Sequence, residues 1–155
     1  MFTDRLELRS WTVPEAAAVV NGVRLADWAD DFPAEGDQVI AELLDENPLW
    51  LGEYGHRHVV ERASGLVVGS IGLFWPPDDG TVEIGYGIVA SRRGLGFASE
   101  AALALTEFGL TSPDVHTVWA NVELSNPASI RVLEKAGFHR MSTDIAEKTA
   151  LYQRG

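Results

Sequence analysis

The chain contains no cysteine among its 155 residues. Disulfide bonds, thiolate zinc sites and cysteine nucleophiles are therefore excluded together. Long hydrophobic runs are also missing: the longest, residues 66–75, contains two glycines and a serine and falls far short of the ~20 residues of a membrane helix. The first ten residues carry four charges and lack the apolar segment of a signal peptide. We therefore expect a soluble, cytoplasmic protein.

Positive charge is scarce, with 12 Lys and Arg against 23 Asp and Glu and a formal net charge of -11. Such a field repels nucleic acid and acidic membrane surfaces and attracts cationic ligands, more weakly as salt rises. We expect no nucleic-acid or membrane partner, and a cationic amine fits better than DNA. Acidity that serves solubility alone is an equally good explanation.

The length and the 46% hydrophobic composition predict a single domain over residues 1–155 with a sizeable core. Histidine is too sparse to suggest a metal centre. His56 and His58 are the only close pair, and no acidic or cysteine cluster completes a ligand set around them. We interpret them as surface or strand residues and predict no metal.

Hydrophobic periodicity and turn signals predict the element order β, α, α, β, β, β, α, β, α, β, β. Strands are predicted at residues 4–10, 58–62, 66–75, 81–88, 115–122, 138–144 and 149–154. Helices are predicted after Thr12, over 36–47 and 98–108, and after Asn126, with short helical pieces in 23–35. We expect an α/β fold with a mixed sheet and helices on both faces. A helix joins the fourth and fifth strands, which should lie parallel with a right-handed crossover.

The segment from Thr81 to Glu100 reads as a strand, a glycine-rich turn and a helix start. Glycines allow backbone N–H groups to approach an anion, and a helix N-terminus adds partial positive charge. The dinucleotide-like pattern at 85–90 lies inside the strand, and no Gly-Lys-Ser/Thr triplet of a P-loop occurs. The turn is therefore predicted to hold a diphosphate in another way, or to be an ordinary basic loop.

Two motifs resemble those of the GNAT superfamily of N-acetyltransferases. Arg93-x-x-Gly96-x-Ala98 is similar to the first, and residues 126–138, NPASIRVLEKAGF, are similar to the second and begin 30 residues after Gly96. The LELR segment at 6–9 and EIGY at 83–86 resemble the RimJ/RimL-like branch, which is named for enzymes that acetylate N-termini of ribosomal proteins. The resemblance implies a GNAT fold of about seven strands, with the parallel central strands 4 and 5 splayed apart.

The resemblance further implies that acetyl-CoA is a co-substrate. The turn would cradle the diphosphate through Arg93, Gly94, Leu95, Gly96, Phe97 and Ala98, with Arg92 as a less certain helper. Backbone groups of Ile88, Val89 and Ala90 would contact the pantetheine arm and the oxyanion. Asn126 and Ser129 are implied as further cofactor contacts.

Acetyl transfer needs a base for the amine and a proton for the leaving thiolate. The resemblance points to Glu83 as the base, with an ion pair or a contact to the substrate ammonium as the alternative. Many relatives carry a tyrosine where this chain has Leu133, so we expect Ser129 to contact the thiol. Tyr86 and Trp119 are candidates for the cleft wall or the core.

We predict an acetyl-CoA-dependent N-acetyltransferase that acts on a primary amine by direct attack in a ternary complex. The acceptor is a protein N-terminus or a small-molecule amine. A non-catalytic acyl-CoA-binding sensor or scaffold is the alternative. Either a monomer or a homodimer is compatible with the sequence.

Overall fold

The structure, a computed structural model, describes residues 1–155. Its strands are β1 (Leu6–Ser10), β2 (His56–Glu61), β3 (Leu66–Leu73), β4 (Thr81–Ile88), β5 (Thr117–Glu123), β6 (His139–Asp144) and β7 (Thr149–Arg154). Its α-helices are α1 (Val13–Val20), α2 (Glu35–Glu46), α3 (Phe97–Gly109) and α4 (Pro127–Lys135). Short 3₁₀ helices cover Pro48–Leu51 and Ala90–Arg92.

The strands form one seven-stranded mixed sheet in the order β1-β2-β3-β4-β5-β7-β6. β4 and β5 are parallel, as predicted, and they pair only from Thr81–Thr117 to Glu83–Trp119. Beyond that point β4 and β5 no longer pair with each other, although β4 still pairs with β3 and β5 with β7. The sheet therefore opens between β4 and β5. The predicted splay of the two central strands is confirmed.

Helices cover both faces of the sheet, as predicted. On one face, His58 of β2 contacts Glu15 of α1, and Ser70 of β3 contacts Asp37 of α2. Leu73 lies three residues after Ser70 and therefore points to the opposite face, where it packs against Gly109 of α3. The open part of the sheet is thus bordered by a different set of helices on each side.

Local sequence signals explain where the helices begin. Thr12 and Glu15 form a capping box at the start of α1, and Asn126 caps α4 by accepting from the Ser129 N–H. The buried positions of α2 are Asp37, Ala41 and Leu44. This spacing is one helical stripe, and it carries a carboxylate onto the face that packs against the sheet.

The prediction of short helical pieces in residues 23–35 is wrong. Up to the start of α2 at Glu35, the segment consists of turns, irregular chain and a single bridge from Trp28 to Val67. Trp28 and Phe32 are buried and pack edge to face at 5.2 Å. Arg24 holds the segment by donating to the carbonyls of Ala29 and Phe32. Aromatic anchoring of an irregular loop leaves no helical period in the sequence. No helix in the chain combines the length and apolarity needed to cross a bilayer.

Candidate active site

A groove of about 480 Å³ opens where β4 leaves β5, bordered by the glycine turn and by α4. The turn contributes Arg92, Arg93, Gly94, Gly96, Phe97 and Ala98 to its wall. From α4 and its cap come Asn126, Ser129, Arg131 and Lys135. The wall therefore carries four cationic side chains and no carboxylate, in a protein of net charge -11. Such a concentration of positive charge suits a polyanionic ligand.

The backbone of the turn has the form that an anion site requires. Gly94 and Gly96 have φ values of +78° and +82°, which only glycine adopts without strain. Gly96 precedes α3, whose first N–H groups have no partner within the helix and carry partial positive charge. These N–H groups border the groove through Phe97 and Ala98.

Arg5, which directly precedes β1, holds the turn in place. Arg5 donates from Nη1 to the Leu95 carbonyl at 2.7 Å and pairs with Glu100 at 2.8 Å, and its guanidinium lies 4.7 Å from the Phe97 ring centre. The carbonyl of Leu95 is therefore directed towards Arg5, and Leu95 does not line the groove. Burial acts to raise the pKa of Glu100, but hydrogen bonds from Thr3 and Arg5 outweigh it, so the pKa lies below its usual value.

The three backbone positions predicted for the pantetheine arm and oxyanion differ in availability. Ile88 lines the groove, whereas Val89 and Ala90 do not. The Val89 N–H already donates to the Val68 carbonyl at 2.9 Å, and the Ala90 carbonyl accepts from the Arg93 N–H. Arg93 also donates from Nε to the Ile88 carbonyl, so one arginine fastens the turn to the end of β4.

Ser129 and Tyr86 form a hydroxyl pair inside the groove. Tyr86 Oη lies 2.7 Å from Ser129 Oγ and donates to the Ser129 carbonyl at 3.2 Å. Burial raises the pKa of Tyr86, and the hydrogen bond with Ser129 acts in the opposite direction. Leu133, which stands where many relatives have a tyrosine, is completely buried. Tyr86 of β4, which the sequence analysis left open between cleft and core, therefore lines the groove together with Ser129.

A second cavity, of about 340 Å³, lies on the α2 side of the same strand. We call it the acceptor cavity. Asp37, His56, Ser70 and Gly85 belong to its wall, and Tyr86, Gly87, Ile88 and Arg93 line both cavities. The two spaces therefore meet at the end of β4, where one bound molecule could touch another.

Two ionisable groups of the acceptor cavity were missed by sequence reasoning. Asp37 is 5% exposed and accepts hydrogen bonds from Ser70 Oγ and the Ala34 N–H. His56 is 1% exposed, and its Nε2 has no hydrogen-bond partner. Its ring lies over Gly72, where a Cβ would come within 2.1 Å of Nδ1. An acidic residue inside the apolar stripe of α2 was the available signal for Asp37. The alternative of surface histidines is wrong, because His56 and His58 are both buried in β2.

Glu83 lies at the last paired position between β4 and β5, and it lines neither cavity. Its side chain points to the same face as Gly85, which lies two residues further along β4 and borders the acceptor cavity. Two residues of strand span about 6.6 Å, so Glu83 lies near this cavity without lining it. Burial raises the pKa of Glu83.

The remaining predicted residues have structural partners. Arg92 pairs with Glu61 at 3.2 Å while lining the groove, and Trp119 is half-buried outside both cavities. No group of three or more His, Asp or Glu side chains could hold a metal ion, and the absence of a metal stays a prediction.

A sheet that opens between two parallel strands, beside a cationic groove and a second cavity, suits an acyltransferase that uses a nucleotide-linked thioester. Known proteins agree with this class. Residues 5–139 match the family model described as "Acetyltransferase (GNAT) domain". The chain belongs to the GNAT acetyltransferase family, whose members transfer an acetyl group from acetyl-CoA to an amine, and it is an acetyltransferase.

Individual relatives point to the same family. The chain is 28% identical over 153 residues to the "Uncharacterized N-acetyltransferase p20" of Bacillus licheniformis, covering 90% of this chain and 82% of that one. It is similar to a "Putative GnaT-family acetyltransferase" from Bordetella pertussis, with a TM-score of 0.72, 25% identity and coverage of 100% and 98%. RimL, a ribosomal-protein alpha-N acetyltransferase in complex with coenzyme A, has a TM-score of 0.72 at 18% identity over 98% and 94%; at that identity the likeness concerns the fold alone.

Proposed function

We propose that this acetyltransferase binds acetyl-CoA in the groove and an amine in the acceptor cavity, and that both are present when the acetyl group moves. The observation that carries the proposal is the junction of the two cavities at Tyr86, Gly87, Ile88 and Arg93. A thioester placed there lies between a cationic space and a space lined by a carboxylate. Direct attack then needs no covalent intermediate on the protein.

The diphosphate is assigned to the N–H groups of the glycine turn and of the first turn of α3, with Arg93 as counter-charge. Gly94 and Gly96 allow the close approach, and Leu95 acts through its carbonyl bond to Arg5. Arg131 and Lys135 extend the positive wall along α4 and suit the remaining phosphate of the cofactor. Asn126 contributes by capping the helix that presents Ser129.

The chemical step joins the amine nitrogen to the thioester carbon and breaks the carbon–sulfur bond. Of the three backbone positions, Ile88 is the best placed for contact with the pantetheine arm and the carbonyl oxygen, since it lines both cavities. The Ser129 hydroxyl passes its proton to the departing thiolate while Tyr86 Oη, 2.7 Å away, passes its own proton to Ser129 Oγ, and Tyr86 regains a proton from solvent. The amine loses its proton to Glu83 through a bridging water.

The acceptor is a primary amine, carried either by a small molecule or by a protein N-terminus. Support for the second source comes from the RimJ/RimL-like motifs of the sequence and from a fold neighbour described as a putative ribosomal-protein-serine acetyltransferase from Vibrio cholerae, at 21% identity. Support for the first comes from spermidine N-acetyltransferase structures of the same fold, at 16% and 18% identity. Membership of the RimJ/RimL-like branch is part of this proposal.

Release of free thiol from acetyl-CoA, measured with pools of aliphatic amines, aminoglycosides and short peptides, tests the proposal. Acceptor-dependent release in at least one pool is expected, with the acetylated nitrogen identified by mass spectrometry. Tight binding of acetyl-CoA without acceptor-dependent release in any pool would contradict catalysis and favour the non-catalytic module.

A further inference from the structure

The wall of the acceptor cavity contains a buried carboxylate without a cation. Asp37 is 5% exposed, and none of the ion pairs in the chain includes it. Its hydrogen-bond donors are the neutral groups Ser70 Oγ and Ala34 N–H. A buried charge without an ion-pair partner is costly, and burial raises the pKa of Asp37 although those two hydrogen bonds and the nearby His58 imidazole act to lower it.

A second polar group of the same wall also lacks a partner. His56 Nε2 is buried without a hydrogen bond, which is uncommon for a buried polar atom. His56 pairs with Gly72 across β2 and β3, and Ser70, which contacts Asp37, lies two residues away on the same face. Two residues of strand span about 6.6 Å, so the strand positions beside the carboxylate and the imidazole are neighbours on that face of the sheet. Asp37 and His56 line the same cavity, where one ammonium group can contact both.

We propose that Asp37 and His56 form the subsite for a primary ammonium group, with the Asp37 carboxylate as its counter-charge and the His56 imidazole accepting one N–H. The inference rests on the proposed function, because it assigns the acceptor to this cavity. A carboxylate oxygen has two lone pairs, so each Asp37 oxygen can accept from the ligand while it keeps its present donor. Burial lowers the pKa of His56 to about 4, so the ring is neutral at pH 7 and can accept.

The rest of the wall indicates the body that carries the ammonium group. Ala34, Gly36, Ile40 and Ile71 provide small or apolar surfaces, and Arg93 at the junction is engaged by the Ile88 carbonyl through Nε. At ~30 Å³ for each water-sized group, the cavity volume of about 340 Å³ holds about ten non-hydrogen atoms. The acceptor class is thus a cationic primary amine on a short apolar segment, and a free alkylamine and a peptide N-terminus share this chemistry.

Binding can be tested without turnover by following the imidazole signals in NMR spectra. The protein contains only four histidines, so these signals are few and can be assigned individually. The intact protein is saturated with coenzyme A and labelled with ¹⁵N at the imidazoles, and the His56 signal is assigned with the His56→Gln variant. n-Butylammonium chloride and an alanine-initiated tripeptide amide are the probes. Tetramethylammonium, which lacks N–H donors, and n-butanol, which lacks charge, are the ligand controls. We expect a saturable shift at His56 with one or both probes, none at the exposed His116 and His139, and none with the controls.

The Asp37→Asn variant tests the counter-charge. Asparagine can accept from the Ala34 N–H and donate to Ser70 Oγ, so both internal hydrogen bonds are kept. We expect probe affinity to fall about 10- to 100-fold, since a hydrogen bond to a charged group is lost. The melting temperature at pH 7.5 should not fall, because a buried charge has been removed. Glu35→Gln, the same change of charge at an exposed position of α2, should leave probe affinity unchanged.

The outcomes separate the two proposals. An unmoved His56 signal with every ammonium probe, or equal probe affinity in Asp37→Asn and the wild type, overturns the subsite. Thiol release without a His56 shift keeps acetyl transfer and removes the subsite. A His56 shift that Asp37→Asn weakens, without thiol release from any amine, keeps the subsite and removes catalysis. A response to the alkylamine alone or to the peptide alone identifies the source of the amine.

Discussion

Removal of either hydroxyl of the Tyr86–Ser129 pair should slow acetyl transfer at the step in which the thiolate leaves. The thiol of coenzyme A resembles cysteine, with a pKa near ~8.5, and a positioned proton donor typically contributes about 10²- to 10⁴-fold in rate. Because Tyr86 Oη and Ser129 Oγ are 2.7 Å apart, we expect them to act as one unit. Ser129→Ala and Tyr86→Phe should each lower kcat by about 10²-fold, and the double variant should lower it little further.

Stability and cofactor binding provide the controls for this pair. Each variant loses one partly buried hydroxyl contact, worth about 1 kcal/mol, so the melting temperature should fall by only about 2–4 °C. Acetyl-CoA affinity, measured by calorimetry, should change little. Single-turnover thiol release isolates the chemical step. Two results would refute the shared proton donor: a rate within threefold of the wild type in both single variants, or multiplicative losses in the double variant. A threefold change in rate is about what the loss of an ordinary neutral hydrogen bond produces.

Three further changes test other parts of the account. Glu83→Gln should lower kcat by about 10²-fold and leave acetyl-CoA affinity intact; full activity across the pH range would remove Glu83 from the mechanism. Gly94→Val should weaken acetyl-CoA binding about tenfold or more by blocking the phosphate, whereas Gly22→Val, with a similar φ of +70° and equally open surroundings, should cost only stability; equal affinities would contradict the cradle. Burial acts to raise the pKa of Glu15, but the His58 imidazole at 3.1 Å and hydrogen bonds from Thr12 outweigh it and lower that pKa from 4.5 to about 2. Glu15 therefore stabilises the fold above pH 4.5, and this contribution is lost as the pH falls towards 2. Glu15→Gln should therefore melt lower than the wild type at neutral pH and converge with it near pH 2, and a constant difference would contradict this role.

Much of the fold was accessible from the sequence because its signals are local. Alternation in β4, the cap at Asn126 and the glycine at position 137, which has φ of +88°, each fix an element boundary through backbone chemistry. The segment 23–35 was not accessible in this way, since Trp28 and Phe32 are placed by contacts with distant strands. Tertiary packing there overrides any local preference.

The residues of the candidate site also differ in whether a local sequence signal predicts them. The glycine turn and Ser129 are carried by contiguous motifs, and the structure places Gly94, Gly96 and Ser129 in one groove. Asp37 and His56 are 19 residues apart in the sequence, and they come to line one cavity only when α2 packs on the sheet. Tyr86 needs the partner hydroxyl on α4 to be recognised as more than a strand aromatic. No local pattern encodes either arrangement.

The central claim is that the groove between β4, the glycine turn and α4 holds acetyl-CoA with its thioester at the junction of the two cavities. A crystal structure of the coenzyme A complex tests it most directly. We predict the diphosphate within hydrogen-bond distance of the N–H groups at residues 94–98, and the sulfur beside the Tyr86 and Ser129 hydroxyls. A coenzyme A molecule whose diphosphate lies away from the glycine turn, or whose sulfur points away from the acceptor cavity, would contradict the account.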